Sequence, residues 1–249
     1  MRHQQTGFSL VELLVAIAIS MVAMVALTSV YISSKGTSRL QEMQQRLSED
    51  GRFGNAMLQR IISQAGYRET PSDNLDDERI SVNADNHITV KFRTDGANQV
   101  ICDGSTPAAA DQTLVIKKDG SKLLCGAVEW IAPATAGAGN GTEVRDFSVK
   151  MGVDTGPANT PENFGCGAAS GGVKPRDCIV DEYVSSLGSY TADQIVALKI
   201  CWVLRSEATD ASIVKAGAVK DCANNDISGS QNDRKLYRTL NTTVLLRNR

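Results

Sequence analysis

Histidine is nearly missing from this 249-residue sequence, which has only His3 and His87. Nor do its six cysteines include a C-x-x-C pair. A Cys/His zinc site is therefore poorly supplied, and a serine or cysteine triad would have to use His87, around which nothing suggests one. Charge of one sign is also lacking. The net charge is -2, so no broad basic surface offers itself to nucleic acid. There is no internal repeat, and GAGNGT at residues 137–142 has glycine spacing unlike either phosphate-binding fingerprint. These absences leave no visible catalytic constellation, and neither a cofactor nor a resident metal is expected.

What is present begins at the N-terminus, with MRHQQTGFSLVELLVAIAIS. From Phe8 to Ile32 every residue but Glu12 is apolar or small and neutral, and the next charge is Lys35. As a helix at ~1.5 Å per residue, the uncharged stretch 13–34 reaches ~33 Å, enough to cross a bilayer core of ~30 Å. A secretory signal peptide would place its small-residue cleavage site at the end of the apolar run, whereas Ala16-Ile17-Ala18 lies in its middle. A plain anchor leaves Glu12 unexplained, because a carboxylate inside a membrane costs roughly 2.5 to 3.5 kcal/mol on insertion scales and calls for a partner.

Gly7-Phe8-Ser9-Leu10-Val11-Glu12, behind a short polar leader containing Arg2 and ahead of an apolar helix, resembles the N-terminal signature of type IV pilins and type II secretion pseudopilins. The resemblance implies cleavage after Gly7 by a prepilin peptidase and N-methylation of Phe8. It also implies a role for Glu12, whose carboxylate would meet the N-terminal amine of a neighbouring subunit within the membrane, where charge neutralisation is worth more than in water. The segments RFGNAMLQRIISQAGYR, VRDFSVKMGVDT, ALKICWVLRS and TTVLLRNR resemble PilW-type minor pilins, themselves similar to the J-type minor pseudopilins. After Ala65-Gly66-Tyr67 this chain has Arg68-Glu69 where that family often has a cysteine, and residues 68–143 match least.

The implied fold is α+β and type IV pilin-like. A leader at 1–7 precedes a helix at 8–67, membrane-spanning at 8–32, which packs on a β-rich head at 68–249 in the periplasm. The implied function is that of a minor pilin in the complex that primes pilus assembly. Its expected surroundings are the inner membrane, then the pilus at the cell surface, with other minor pilins, the major pilin and a tip adhesin as partners. A type II secretion pseudopilin and a tip module binding DNA or a surface ligand are the alternatives.

The cysteines, Cys102, Cys125, Cys166, Cys178, Cys201 and Cys222, all fall in the head, where disulfides suit an oxidising periplasm. Fifteen connectivities are possible. Pairing sequence neighbours, Cys102 with Cys125, Cys166 with Cys178 and Cys201 with Cys222, is the simplest.

Past the membrane run, Leu40, Met43, Leu47, Gly54, Leu58, Ile61 and Ala65 form one helical stripe expected to lie on a sheet. Gly36, Gly51 and Gly54 predict bending or local melting, and Gly66 followed by Pro71 predicts the stop. Alternation in HITVKFR, the Asp119-Gly120 hairpin signal between TLVIK and SKLLC, and the runs EVRDFSVKMGV, QIVALKICWVLRS and KLYRTLNTTVLLRNR predict strands, QIVALKICWVLRS with a helical start. PATAGAGNGT and GPANTPENFGCGAASGGVKPRDC read as loops. Two acidic stretches invite calcium, namely Asp73, Asp76, Asp77 and Glu78, and NNDISG with Asn224, Asp226, Ser228 and Gly229. The second lacks an acidic first position and the bidentate Glu, so both read as solvated loops. Arg234, Lys235, Arg238, Arg247 and Arg249 read as one polar strand face.

Overall fold

Ser9 starts the first element. Its extended backbone (φ -69°, ψ 141°) sets it as the N-cap of helix α1 (Leu10–Ile62), which runs unbroken for 53 residues. The computed structural model describes residues 9–68, 79–134, 141–155 and 178–248. The local melting expected at the helix glycines does not occur, and at Gly51 and Gly54 the sheets explain why. A Cβ on Gly54 would enter the Trp202 indole and lie 3.1 Å from Ile131, and one on Gly51 would lie 2.6 Å from Leu240. These glycines let the helix axis approach the sheet, and burial of the flanking apolar residues offsets their low helix propensity.

The helix also ends earlier than the sequence implies, at Ile62 rather than near Tyr67. Residues 63–67 tighten into i to i+3 turns, with Ala65 N–H donating to Ile62 O (3.0 Å) and Tyr67 N–H to Gln64 O (2.9 Å). Gly66, at φ 76°, turns its N–H to Lys91 O (2.9 Å), so a strand captures the group that another helical turn would have used.

Five antiparallel strands follow in chain order: β1 (Ile80–Val82), β2 (Ile88–Arg93), β3 (Asp111–Asp119), β4 (Lys122–Cys125) and β5 (Val128–Ile131). In β2 the side chains alternate strictly, Ile88, Val90 and Phe92 being buried. The turn joining β3 to β4 has Asp119 opposite Lys122 and Gly120 at φ 57°, as its Asp-Gly signal predicts. The second sheet has the order β7-β6-β8-β9, from β6 (Thr142–Val153), β7 (Glu182–Val184), β8 (Ile195–Ser206) and β9 (Tyr237–Leu245). The helical start expected before β8 is a single 3-10 turn, Ala192–Gln194. The short strands β1, β5 and β7 had no clear sequence signal.

Leu47, Leu58, Ile61 and Ile62 of α1 join both sheets in one apolar core, in which Trp202 is fully buried and donates from Nε1 to Asn55 Oδ1 (3.1 Å). Burying an indole of this size is worth about 4 kcal/mol. The opposite face of the second sheet is covered by the segment between β8 and β9. Cys222 of that segment is bonded to Cys201 of β8, and its N–H donates to Asp146 of β6 (2.8 Å).

At one end of that face, Arg205 of β8 lies between two acids. Its Nε donates to Glu143 (2.7 Å) and its Nη1 to Asp233 (3.2 Å), while Lys235 Nζ reaches Glu143 (3.0 Å) and the Tyr237 hydroxyl donates to Asp233. Burial by itself would raise the Glu143 pKa, but the hydrogen bonds and charges of Arg205 and Lys235 hold it below its ordinary 4.5. On the first sheet's loop, Asp95 is held down to about 2 by the Asn98 side chain and by the Asn98 and Ala97 amides.

Gly54→Ala should destabilise the full chain in detergent by about 1 to 3 kcal/mol in thermal or urea unfolding, through overpacking against Trp202. Gly36→Ala, whose Cβ would meet only Ile213 at 3.8 Å, should be neutral or stabilise by up to ~1 kcal/mol. Both Glu143 and Asp95 have depressed folded-state pKa values, so their stabilisation is present at neutral pH and is lost on acidification. The Glu143 share fades as pH falls below 4.5, and the Asp95 share between 3.8 and about 2. Glu143→Gln should make the acid limb of an unfolding-versus-pH series shallower and leave the Asp95 share in place.

Candidate assembly site

Among the described residues, the first half of α1 packs against nothing outside its own helix. Every large apolar side chain from Leu10 to Ile32 is at least 44% exposed, and this helix is long and apolar enough to cross a membrane. Three of its hydroxyls are turned inward on the backbone. Ser20 Oγ donates to Ala16 O (2.7 Å), Thr28 Oγ1 to Met24 O (2.8 Å) and Ser29 Oγ to Ala26 O (2.8 Å). In a medium without water each donor must find such a partner, and these three have one within their own helix.

Glu12 stands in the first turn of this bare half. Its Oε2 accepts from Ser9 N–H (3.2 Å), and Ser9 Oγ accepts from Val11 N–H (3.3 Å), so the two side chains close a capping box. A carboxylate here also faces the positive end of the helix dipole. Oε1 of Glu12 has no partner among the described residues. Ser9 was not singled out from the sequence, although Ser9-Leu10-Val11-Glu12 before an apolar run is a capping-box pattern that points to it. Gly7 and Phe8 lie outside the described residues.

The cysteines stand apart from this segment, in the head. Cys102 is bonded to Cys125 (Cα–Cα 5.3 Å) and Cys201 to Cys222 (5.7 Å). Cys178 is also disulfide-bonded, and Cys166 lies outside the described residues. The first bond ties the loop after β2 to β4, and there the Trp130 Nε1 donates to Cys102 O (2.8 Å). Each closes a loop of about twenty residues, worth about 3 kcal/mol in the chain-entropy picture.

Of the two acidic stretches, residues 73–78 lie outside the described residues. In the other, Asp226 is paired with Lys220 (2.9 Å), and the neighbouring Asp221 accepts from the Ala223 and Asn225 amides. Among the described residues no group of three or more His, Cys, Asp or Glu side chains could hold a metal ion. His87 is half-buried, and its backbone is hydrogen-bonded to Asn83. The basic C-terminal residues do not form one face as expected. Lys235 belongs to the Glu143 cluster, Arg234 donates to Val214 O (3.3 Å), and Arg238 reaches Ser48 of α1. Arg247 is exposed and Arg249 lies outside the described residues. The β8–β9 segment separates Arg234 and Lys235 from the strand, and alternation along β9 directs Arg238 to the helix side.

The prokaryotic N-terminal methylation motif matches residues 2–28 of the chain. No curated protein matches it. Among solved structures it is similar to a type IV-like pilin from Thermus thermophilus, with 14% sequence identity, a TM-score of 0.48, and coverage of 82% of this chain and 98% of that one. A prokaryotic N-terminal methylation motif thus opens one long helix, bare over its first half and packed on antiparallel sheets over its second.

Proposed function

We propose that this chain is a minor pilin, part of a membrane-bound complex that primes assembly of a type IV pilus and ends near the tip of the fibre. Glu12 carries the reading, as the one charge in a helix half that leaves every apolar side chain uncovered. In this reading a prepilin peptidase removes residues 1–7 and Phe8 is methylated. Residues 8–32 hold the processed chain in the inner membrane, with the head at 68–249 in the periplasm, where disulfides persist. On assembly the same bare surface passes from lipid to the flanks of other minor pilins and the major pilin.

The capping box bears on how Glu12 works. Holding Oε2 on the Ser9 amide lowers the cost of a carboxylate at membrane depth and leaves Oε1 for a neighbour's N-terminal amine. An outermost subunit has nothing above it to offer such an amine, so a chain that keeps Glu12 belongs below that position, with a minor pilin on each side.

Intact-mass measurement of protein taken from cells should show loss of Met1 to Gly7 and gain of one methyl group on Phe8. A retained leader, or a mature start elsewhere, would remove the basis of the reading. Glu12→Ala should ease membrane insertion by roughly 2.5 to 3.5 kcal/mol while weakening docking. The variant is expected to be stable and processed, to co-purify poorly with the other minor pilins and to support fewer surface pili. If it primes pili as well as the parent, the carboxylate is dispensable and the proposed role of Glu12 is wrong.

A further inference from the structure

Three of the four sheet edges among the described residues are short: β1 and β7 have three residues each and β5 has four. The fourth is β9, nine residues long, with no proline, lysine or bulge to guard it. Its register with β8 runs without a slip from Ala197 opposite Leu245 to Arg205 opposite Tyr237, and just beyond it Leu246 N–H donates to Val196 O (3.0 Å). By alternation the even-numbered residues turn their backbone groups to β8. Thr239, Asn241, Thr243 and Leu245 turn theirs outward, and those groups have no partner among the described residues.

Beside this edge lies a groove of about 510 Å³, lined by Ala56, Gln59 and Arg60 of α1 and by Thr243, Leu245 and Arg247. Leu245 is 58% exposed, and Phe53, farther along the same flank of α1, is 48% exposed. The charges here are uneven. The guanidinium groups of Arg52, Arg60 and Arg247 have neither an ion pair nor a hydrogen bond among the described residues, whereas Glu49, a nearby acid, accepts from Gln45 (2.8 Å).

We infer that the β9 edge is a docking site for an extended segment of another protein chain, which adds beside β9 as a further strand and carries carboxylates that meet the free arginines. The outward N–H and C=O groups supply the ladder, Phe53 and Leu245 supply apolar contact, and the arginines select for acidic side chains. The inference rests on β9 and the second half of α1 and does not require residues 8–32 to act as proposed above.

The test uses the full chain in detergent micelles and a labelled, end-blocked eight-residue peptide alternating Glu with Val and Thr, read by fluorescence anisotropy and amide exchange. Binding should slow exchange at Thr239, Asn241, Thr243 and Leu245. Thr243→Pro removes one outward N–H at a position where an edge strand tolerates proline, and should weaken binding about tenfold, whereas Thr243→Ala should not. Arg60→Glu and Arg247→Glu should each weaken it as well. A peptide N-methylated on alternate residues tests the same ladder with the protein untouched, and covers the case in which Thr243→Pro fails to fold. The inference is overturned if the acidic peptide does not bind, if its Lys-for-Glu counterpart binds equally well, or if N-methylation leaves affinity unchanged.

Discussion

The position of Trp202 over Gly54 governs how the head is put together. An indole fully inside the core needs a flat, side-chain-free site on its helix neighbour, and α1 provides one by having no Cβ there. Once the ring is seated, its N–H finds Asn55 one residue along, which fixes the rotation of the helix about its axis. Ile131 of the first sheet and Trp202 of the second then meet over the same glycine, so one close approach sets the relation of both sheets to the helix.

Along the same helix the solvent rules reverse. Beyond Leu40 its surface divides into a buried stripe and a charged remainder, as a helix lying between a core and water must. Before Lys35 there is no such division. The side chains are apolar nearly all round, the large ones are all exposed among the described residues, and the hydroxyls of Ser20, Thr28 and Ser29 bond back to the helix itself. Glu12 is the exception, and its capping box shows how a charge can be tolerated there: an amide that the helix would otherwise leave without a partner receives one.

The far face of the second sheet is closed differently. Its cover is an irregular segment rather than a helix, held by the Cys201–Cys222 bond and, at its return, by the ion pairs of Glu143, Arg205, Asp233 and Lys235. Because these side chains are largely withdrawn from water, each charge depends on its partners, and the cluster is strong only while its acids stay ionised. The cover does not extend over the outer edge of β9, which leaves nine residues of strand beside a cationic flank of the helix.

Features carried by local order were legible in the sequence. The bare apolar run, the isolated Glu12, the stripe from Leu40 to Ala65, the strict alternation of β2 and the Asp119-Gly120 turn all follow from periodicity or from the conformational demands of single residues. What depends on which distant segments meet was not. Gly51 and Gly54 read as weak points in a helix, because a missing Cβ is a defect in isolation and becomes a fit only when Leu240 and Trp202 arrive opposite it. The basic C-terminal residues read as one face, because strand alternation cannot say that Lys235 lies before the strand in a cluster with Glu143, some ninety residues earlier in the chain. The division into two sheets and the exposure of β9 as an edge were likewise decided only in the folded chain, since strand order is set by packing between segments that no local pattern links.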